Sequence, residues 1–195
     1  MLGFPSLSSG SDDDAFDGID EFVPEHLPQP GPFLEGHDVL SGDDHVAFHR
    51  TTEEVFEERG VYDVTFGYNL ARLNLDHRHP DSGYRYAVDR DDPSVLRAEF
   101  TPTTPFCPQS RTLTVGSFRA WNGLAERHGY ELVRVSVHPM HHRSDAIDDE
   151  LDELAREYRD TGELLDPSEA DLGGAEFPTY GDGDGTADSD PDAPF

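Results

Sequence analysis

There is no lysine in this chain. All 14 basic residues are arginine, against 42 Asp and Glu, and the formal net charge is −28. Such a chain repels itself in dilute buffer, and concentrated salt screens that repulsion. The composition therefore fits a halophilic, salt-rich cytoplasm. It argues against a nucleic-acid partner, because phosphates need a basic face. Only one cysteine is present, so no internal disulfide can form. No long apolar run is present, which excludes a helical membrane span. The N-terminus lacks a basic region followed by an apolar core, so no secretory signal is expected. The expected location is cytoplasmic.

The two flanks lack even arginine. Residues 1–36 are rich in Gly, Ser, Pro and acid, including Asp12, Asp13 and Asp14. Residues 161–195 carry the repeated Gly181-Asp182-Gly183-Asp184-Gly185, whose spacing fits no EF-hand. Neither flank can bury enough apolar surface to offset the entropy of ordering. Both are expected to be disordered and acidic, leaving a domain over residues 37–160.

Periodicity supplies the elements between them. Thr51 and Glu54 form a capping box, Val55 and Phe56 an apolar face, and Gly60 a stop, predicting a helix of about two turns. Tyr62, Val64, Phe66 and Tyr68 alternate with polar residues, predicting a strand within residues 61–75. Residues 76–83 read as a polar loop. There Asp76, His77 and His79 invite a metal reading, but no further ligand lies nearby in sequence. Strands are predicted over residues 84–88 and 95–101, and a long helix over residues 108–128. In that helix Leu113, Gly116, Ala120 and Leu124 share a face, and Gly116 suggests close contact with the sheet. A strand follows over residues 131–138. Ser144 is expected to cap a last helix with the stripe Ile147, Leu151, Leu154, Ala155 and Tyr158. The order implies an α/β fold: a small two-layer domain with helices packed on a three- to four-stranded mixed sheet.

The lone cysteine lies in Phe100-Thr101-Pro102-Thr103-Thr104-Pro105-Phe106-Cys107-Pro108. Pro102 and Pro105 favour extended geometry before them, and Pro108 suits the first position of a helix. Cys107 is thus expected at a helix N-terminus, where free N–H groups favour a thiolate. The plainer alternative is a small buried hydrophobe. If the strands before Cys107 and before His138, His141 and His142 are neighbours, these residues share one end of the sheet. Loops at strand ends are where such folds carry function.

Phe100, Thr101, Pro102, Thr103, Pro105 and Cys107 form a run Phe-Thr-Pro-Thr-x-Pro-x-Cys. Thr112, Leu113 and Gly116 follow as Thr-Leu-x-x-Gly, and Pro139 and His142 as Pro-x-x-His before an acidic helix. Over residues 100–158 the sequence resembles the cytosolic iron–sulfur assembly family of the MIP type, with the related SufT and PaaD proteins. It departs from that pattern in lacking the family's Asp-Pro-Glu. Phe66-Gly67-Tyr68 stands for the family's Leu-Gly-Leu/Tyr-Val turn, and the family's helix Asn falls on Asp148 or Asp149.

The resemblance implies a factor for iron–sulfur cluster assembly or transfer rather than an enzyme. Its partners would be apo iron–sulfur proteins or other assembly factors. Clusters are held largely by four thiolates, so one Cys107 cannot complete a shell. Any cluster would be held transiently, its ligands shared with a second subunit in a homodimer, a partner protein or a small thiol. His142 would be an extra ligand. Three alternatives stay open. One is a structural or adaptor role. Another is a thiol enzyme using Cys107 and a nearby histidine. The third is a single-metal site from Cys107 with His138, His141 and His142.

Overall fold

Two strands of strict alternation form the centre of the fold, and a tryptophan caps them. The computed structural model describes residues 22–164. In chain order the elements are β1 (Asp38–Val39), α1 (Gly42–Arg59), β2 (Tyr62–Asp63), β3 (Tyr68–Asn69), β4 (Gly83–Val88), β5 (Val95–Thr101), α2 (Ser110–Asn122), β6 (Leu132–Val137) and α3 (Ser144–Thr161). Short 3-10 segments lie at Pro24–His26, Leu70–Leu75 and Ala125–Arg127. One sheet has the order β1-β4-β5-β6, and β2 and β3 form a separate hairpin. β1, β4 and β5 pair antiparallel, while β5 and β6 pair in parallel across α2. The architecture is α/β with a mixed four-stranded sheet.

The inner face of the sheet carries Tyr84 and Tyr86 of β4 and Leu96, Ala98 and Phe100 of β5, all buried. Trp121 of α2 meets Tyr84 edge-on at 5.0 Å and Phe56 of α1 at 4.8 Å. Its indole N–H donates to Thr52 Oγ1 at 3.2 Å, so the core satisfies its own polar atom. Each of these fully buried side chains contributes about 2 kcal/mol of transfer free energy. β6 is an edge strand, and side chains close it. Asn122 accepts the Val133 N–H and donates to the Val133 carbonyl, at 2.8 and 2.9 Å, as a neighbouring strand would.

The outer face is covered by the segment before β1. Leu27 and Leu34 are buried there. Arg85 donates to the Pro28 and Leu40 carbonyls, and Arg97 donates to the Phe33 carbonyl while lying over its ring at 4.9 Å. Sequence composition places the start of the domain at residue 37; the structure builds residues 22–36 into it. Hydrogen bonds to the sheet's outward arginines and Glu99 hold a segment with few apolar residues of its own. At the other end, α3 runs to Thr161 and Leu164 lies against Gly123. Disorder expected over residues 1–21 and 165–195 falls outside the described residues.

Three local expectations are corrected. α1 begins nine residues before Thr51, and Thr51 bonds back to the Ala47 carbonyl instead of capping. A threonine hydroxyl satisfied within the helix removes the need for a boundary. The stripe His45, Phe48, His49, Thr52, Val55 and Phe56 is what the helix buries. The alternation after Val61 yields only the two-residue strands β2 and β3. The Asp63 carboxylate accepts the N–H groups of Thr65 and Phe66, and Gly67 takes φ +72°, so the chain turns there. Leu70, Leu73 and Leu75 are then buried by a 3-10 turn, not a strand. Finally, a Cβ on Gly116 would meet only Val61 at 4.0 Å, so this glycine marks no close contact with the sheet.

Candidate functional site

The parallel pairing of β5 and β6 brings their C-terminal loops together. The His138 N–H donates to the Phe100 carbonyl at 2.8 Å, extending the ladder one step beyond β6. Past that point both chains leave the sheet. Pro102, Thr103 and Pro105 carry one loop to Cys107, and Pro139 opens the other. The His142 N–H donates to the Pro105 carbonyl at 3.0 Å, and its Nδ1–H donates to the same oxygen at 2.8 Å. His141 Nε2–H donates to the Cys107 carbonyl at 3.0 Å. The loop of Cys107 and the loop of the histidines are thus stitched to one another by three hydrogen bonds.

These bonds sort the histidines. His141 is buried, and its Nδ1 faces the Arg143 N–H at 3.3 Å, so both ring nitrogens are engaged. His138 Nδ1 accepts the Met140 N–H at 3.1 Å, and its ring lies on the outer face beside Glu99. Only His142 combines an exposed ring with an Nε2 that has no hydrogen-bond partner among the described residues. Its ring packs against Phe106 at 5.2 Å.

Cys107 is half-buried. It precedes the helix by more than the sequence implies: α2 starts at Ser110, and Pro108 and Gln109 form a turn before it. The Cys107 carbonyl accepts the Ser110 N–H at 3.4 Å, so the residue sits one turn ahead of the helix rather than at its cap. Pro108 fits that turn as well as it fits a first helical position, which is why the boundary is illegible from the sequence. Thr101 ends β5 and is buried, Leu113 packs into the core, and Thr112 is exposed on α2. Ser144 is the first residue of α3 rather than its cap.

The other sequence candidate for a metal is dispersed. Asp76 is buried and takes two bonds of 2.8 Å from the Arg78 guanidinium and one of 3.2 Å from the Tyr68 hydroxyl. Burial pushes its carboxyl up, and the Arg78 bonds outweigh this and hold it below the ordinary range. His77 is exposed and His79 packs on Phe66 at 4.7 Å. Among the described residues no group of three or more His, Cys, Asp or Glu is placed to hold a metal ion. Cys107 and His142 therefore offer two donors at most, and a four-ligand shell needs others from outside the chain.

Two titratable groups near this end take on a role only in the folded chain. Glu99 is buried on the outer face of β5, and burial pushes its carboxyl up. Asp148 of α3 accepts the Val137 N–H at 2.8 Å and the Ser136 hydroxyl at 3.0 Å, closing the β6 edge beside the histidine loop. Burial pushes Asp148 up to about 6. In the sequence Glu99 is an acidic residue at an outward strand register and Asp148 one of two positions where the family's helix Asn falls; what each accepts becomes known only with its strand partners.

The fold and site together define a small α/β domain that presents, at the end of a parallel strand pair, a half-buried thiol and an exposed imidazole, that of His142, whose Nε2 has no hydrogen-bond partner among the described residues. The chain belongs to the family described as Domain of unknown function (DUF7998), whose pattern covers residues 14–165. No curated protein and no solved structure matches it. No helix among the described residues is long and apolar enough to cross a membrane.

Proposed function

We propose that this protein is a cytoplasmic iron–sulfur cluster assembly or transfer factor that holds its cargo through Cys107. The observation that carries the reading is the joined loop pair. Cys107 lies in the run resembling the assembly family, bonded to the Pro-x-x-His loop that the same resemblance singles out. The cluster is cargo, and Cys107 supplies one thiolate to it. His142 Nε2 is the chain's second available donor. Remaining ligands come from outside, and an open shell lets an incoming thiolate displace a ligand one at a time. The recipients are apo iron–sulfur proteins or other assembly factors.

The test is anaerobic loading in molar salt, with iron and acid-labile sulfide measured per chain, followed by delivery to an apo-ferredoxin. Cys107→Ser should abolish loading and delivery while leaving the far-ultraviolet dichroism intact. His142→Ala should reduce delivery less. Delivery by Cys107→Ser equal to the parent's would sink the reading and favour an adaptor role for the same fold.

A further inference from the structure

The exposed apolar residues of this protein are not scattered. Among the described residues four large hydrophobic side chains are exposed: Tyr62, Val64 at 80 %, Phe106 at 72 % and Met140 at 37 %. Tyr62 donates its hydroxyl to Glu57. The other three lie on segments that are continuous with, or hydrogen-bonded to, the loop of Cys107 and the turn after it. Phe106 is its neighbour in sequence, and Met140 precedes His141, which bonds the Cys107 carbonyl. Val64 sits at the tip of the β2–β3 hairpin, which Gln109 ties to this end of α2. Its N–H donates to Gln109 Oε1 at 3.4 Å, and Gln109 Nε2 donates to Thr65 Oγ1 at 2.5 Å.

The charge pattern marks the same place. The chain has 42 acidic residues, yet residues 64–75, 100–125 and 132–144 contain none. These are the segments that build the hairpin tip, the Cys107 loop with α2, and β6 with the histidine loop. On a chain of −28, this end of the sheet is where a like-charged surface can approach without setting carboxylate against carboxylate. The rim carries charges of both signs. Arg143 and Asp145, at the entry to α3, are both exposed and form no ion pair among the described residues. A patch that bears both signs two residues apart can be complementary to itself, as a two-fold interface requires.

We infer that Val64, Phe106 and Met140 form a contact with a second copy of this chain, a two-fold pairing that sets the two Cys107 residues at its centre. Arg143 of each copy then faces Asp145 of the other. The inference deepens the cluster-carrier reading and rests on it for the use of the paired thiols, since two copies supply two thiolates and two imidazoles where one supplies half. The pairing itself needs no iron.

Sedimentation equilibrium of the full chain without iron, in molar potassium chloride, tests it. A dimer is expected. Phe106→Asp and Val64→Asp should each raise its dissociation constant at least tenfold; both side chains are exposed, and far-ultraviolet dichroism checks that the fold is kept. Arg143→Asp should weaken the dimer, and Arg143→Asp with Asp145→Arg should recover most of the loss. A monomer at every concentration overturns the inference, as does a dimer that Phe106→Asp and Val64→Asp leave intact. A double swap no tighter than Arg143→Asp alone overturns the two-fold pairing. A monomer that still delivers clusters through Cys107 removes the dimer and keeps the carrier; a dimer that loads no iron does the reverse.

Discussion

The Glu99 carboxylate lies directly against the backbone of Gly31, accepting its N–H at 2.6 Å and that of Phe33 at 3.2 Å. A Cβ built on Gly31 would fall 2.6 Å from Glu99 Oε1 and 2.6 Å from His138 Cδ2. The covering segment can reach the buried carboxylate only because residue 31 has no side chain.

Gly31→Ala should therefore lift this segment from β5. The loss of two hydrogen bonds to a buried carboxylate, with a steric clash, should cost about 2 kcal/mol. Thermal unfolding in molar salt measures it. A midpoint equal to the parent's would mean that the segment contributes nothing to stability.

His45 and His49 should respond oppositely to replacement. Both are buried in α1, with stacked rings 5.8 Å apart. His49 meets the Tyr86 hydroxyl at 3.0 Å and the Ala71 carbonyl at 2.9 Å, whereas neither nitrogen of His45 has a hydrogen-bond partner among the described residues. His45→Phe should stabilise by about 1 kcal/mol, and His49→Phe should destabilise by about 2 kcal/mol by orphaning two buried groups. Burial lowers His45 to about 3 and His49 to about 4. The unfolded chain, with histidines near 6.5, thus takes up these protons first. Stability is lost as pH falls from about 6.5 towards 3, and His45→Phe should remove part of that slope.

Asp148 should act in the opposite sense. Its folded carboxyl is near 6, pushed up by burial against an ordinary 3.8. The folded state keeps this proton where the unfolded chain has released it, so the contribution to stability falls as pH rises through that window. Asp148→Asn keeps an acceptor for the Val137 N–H and gains a donor for Ser136. The variant should be more stable than the parent at neutral pH, and the difference should shrink to nothing below about pH 4. Urea titrations at several pH values check this; equal stability at neutral pH would contradict it.

Salt should govern the whole molecule. The charge of −28 is spread over a chain without lysine. The unfolding midpoint should rise by more than about 3 °C between dilute and molar salt, the shift that about 1 kcal/mol produces in a domain of this size. A midpoint indifferent to salt would remove the case for adaptation to a saline cytoplasm.

Much of the fold was legible where one physical pattern had no competitor. β4, β5 and β6 alternate between a tyrosine- and valine-rich inner face and a polar outer one, and α3 carries its stripe at helical spacing. The segment after Val61 misled because its alternation ignores Asp63, whose carboxylate forms a local turn within two residues. Thr51 misled because a capping residue and a helix-interior threonine look alike until the i−4 carbonyl is seen to be in reach. The candidate site was legible as two motifs, the cysteine run and the histidine loop, and as one place only on the condition that their strands are neighbours, which the pairing of β5 with β6 meets.

Sequence alone determined the charge, the single thiol, the order of β4, β5, α2, β6 and α3, and the apolar faces they must bury, because these depend on residue type and local spacing. The tertiary structure decided three things that depend on contacts between distant residues. Parallel pairing of β5 with β6 joined Cys107 to the histidine loop across 34 positions of sequence. Hydrogen-bond geometry then spent both nitrogens of His141 and left Nε2 of His142 without a partner among the described residues. Glu99 recruited residues 31–33 to the outer face from 66 to 68 positions away. Local propensity cannot encode such pairings, since each becomes favourable only after the sheet has placed both partners and excluded water from between them.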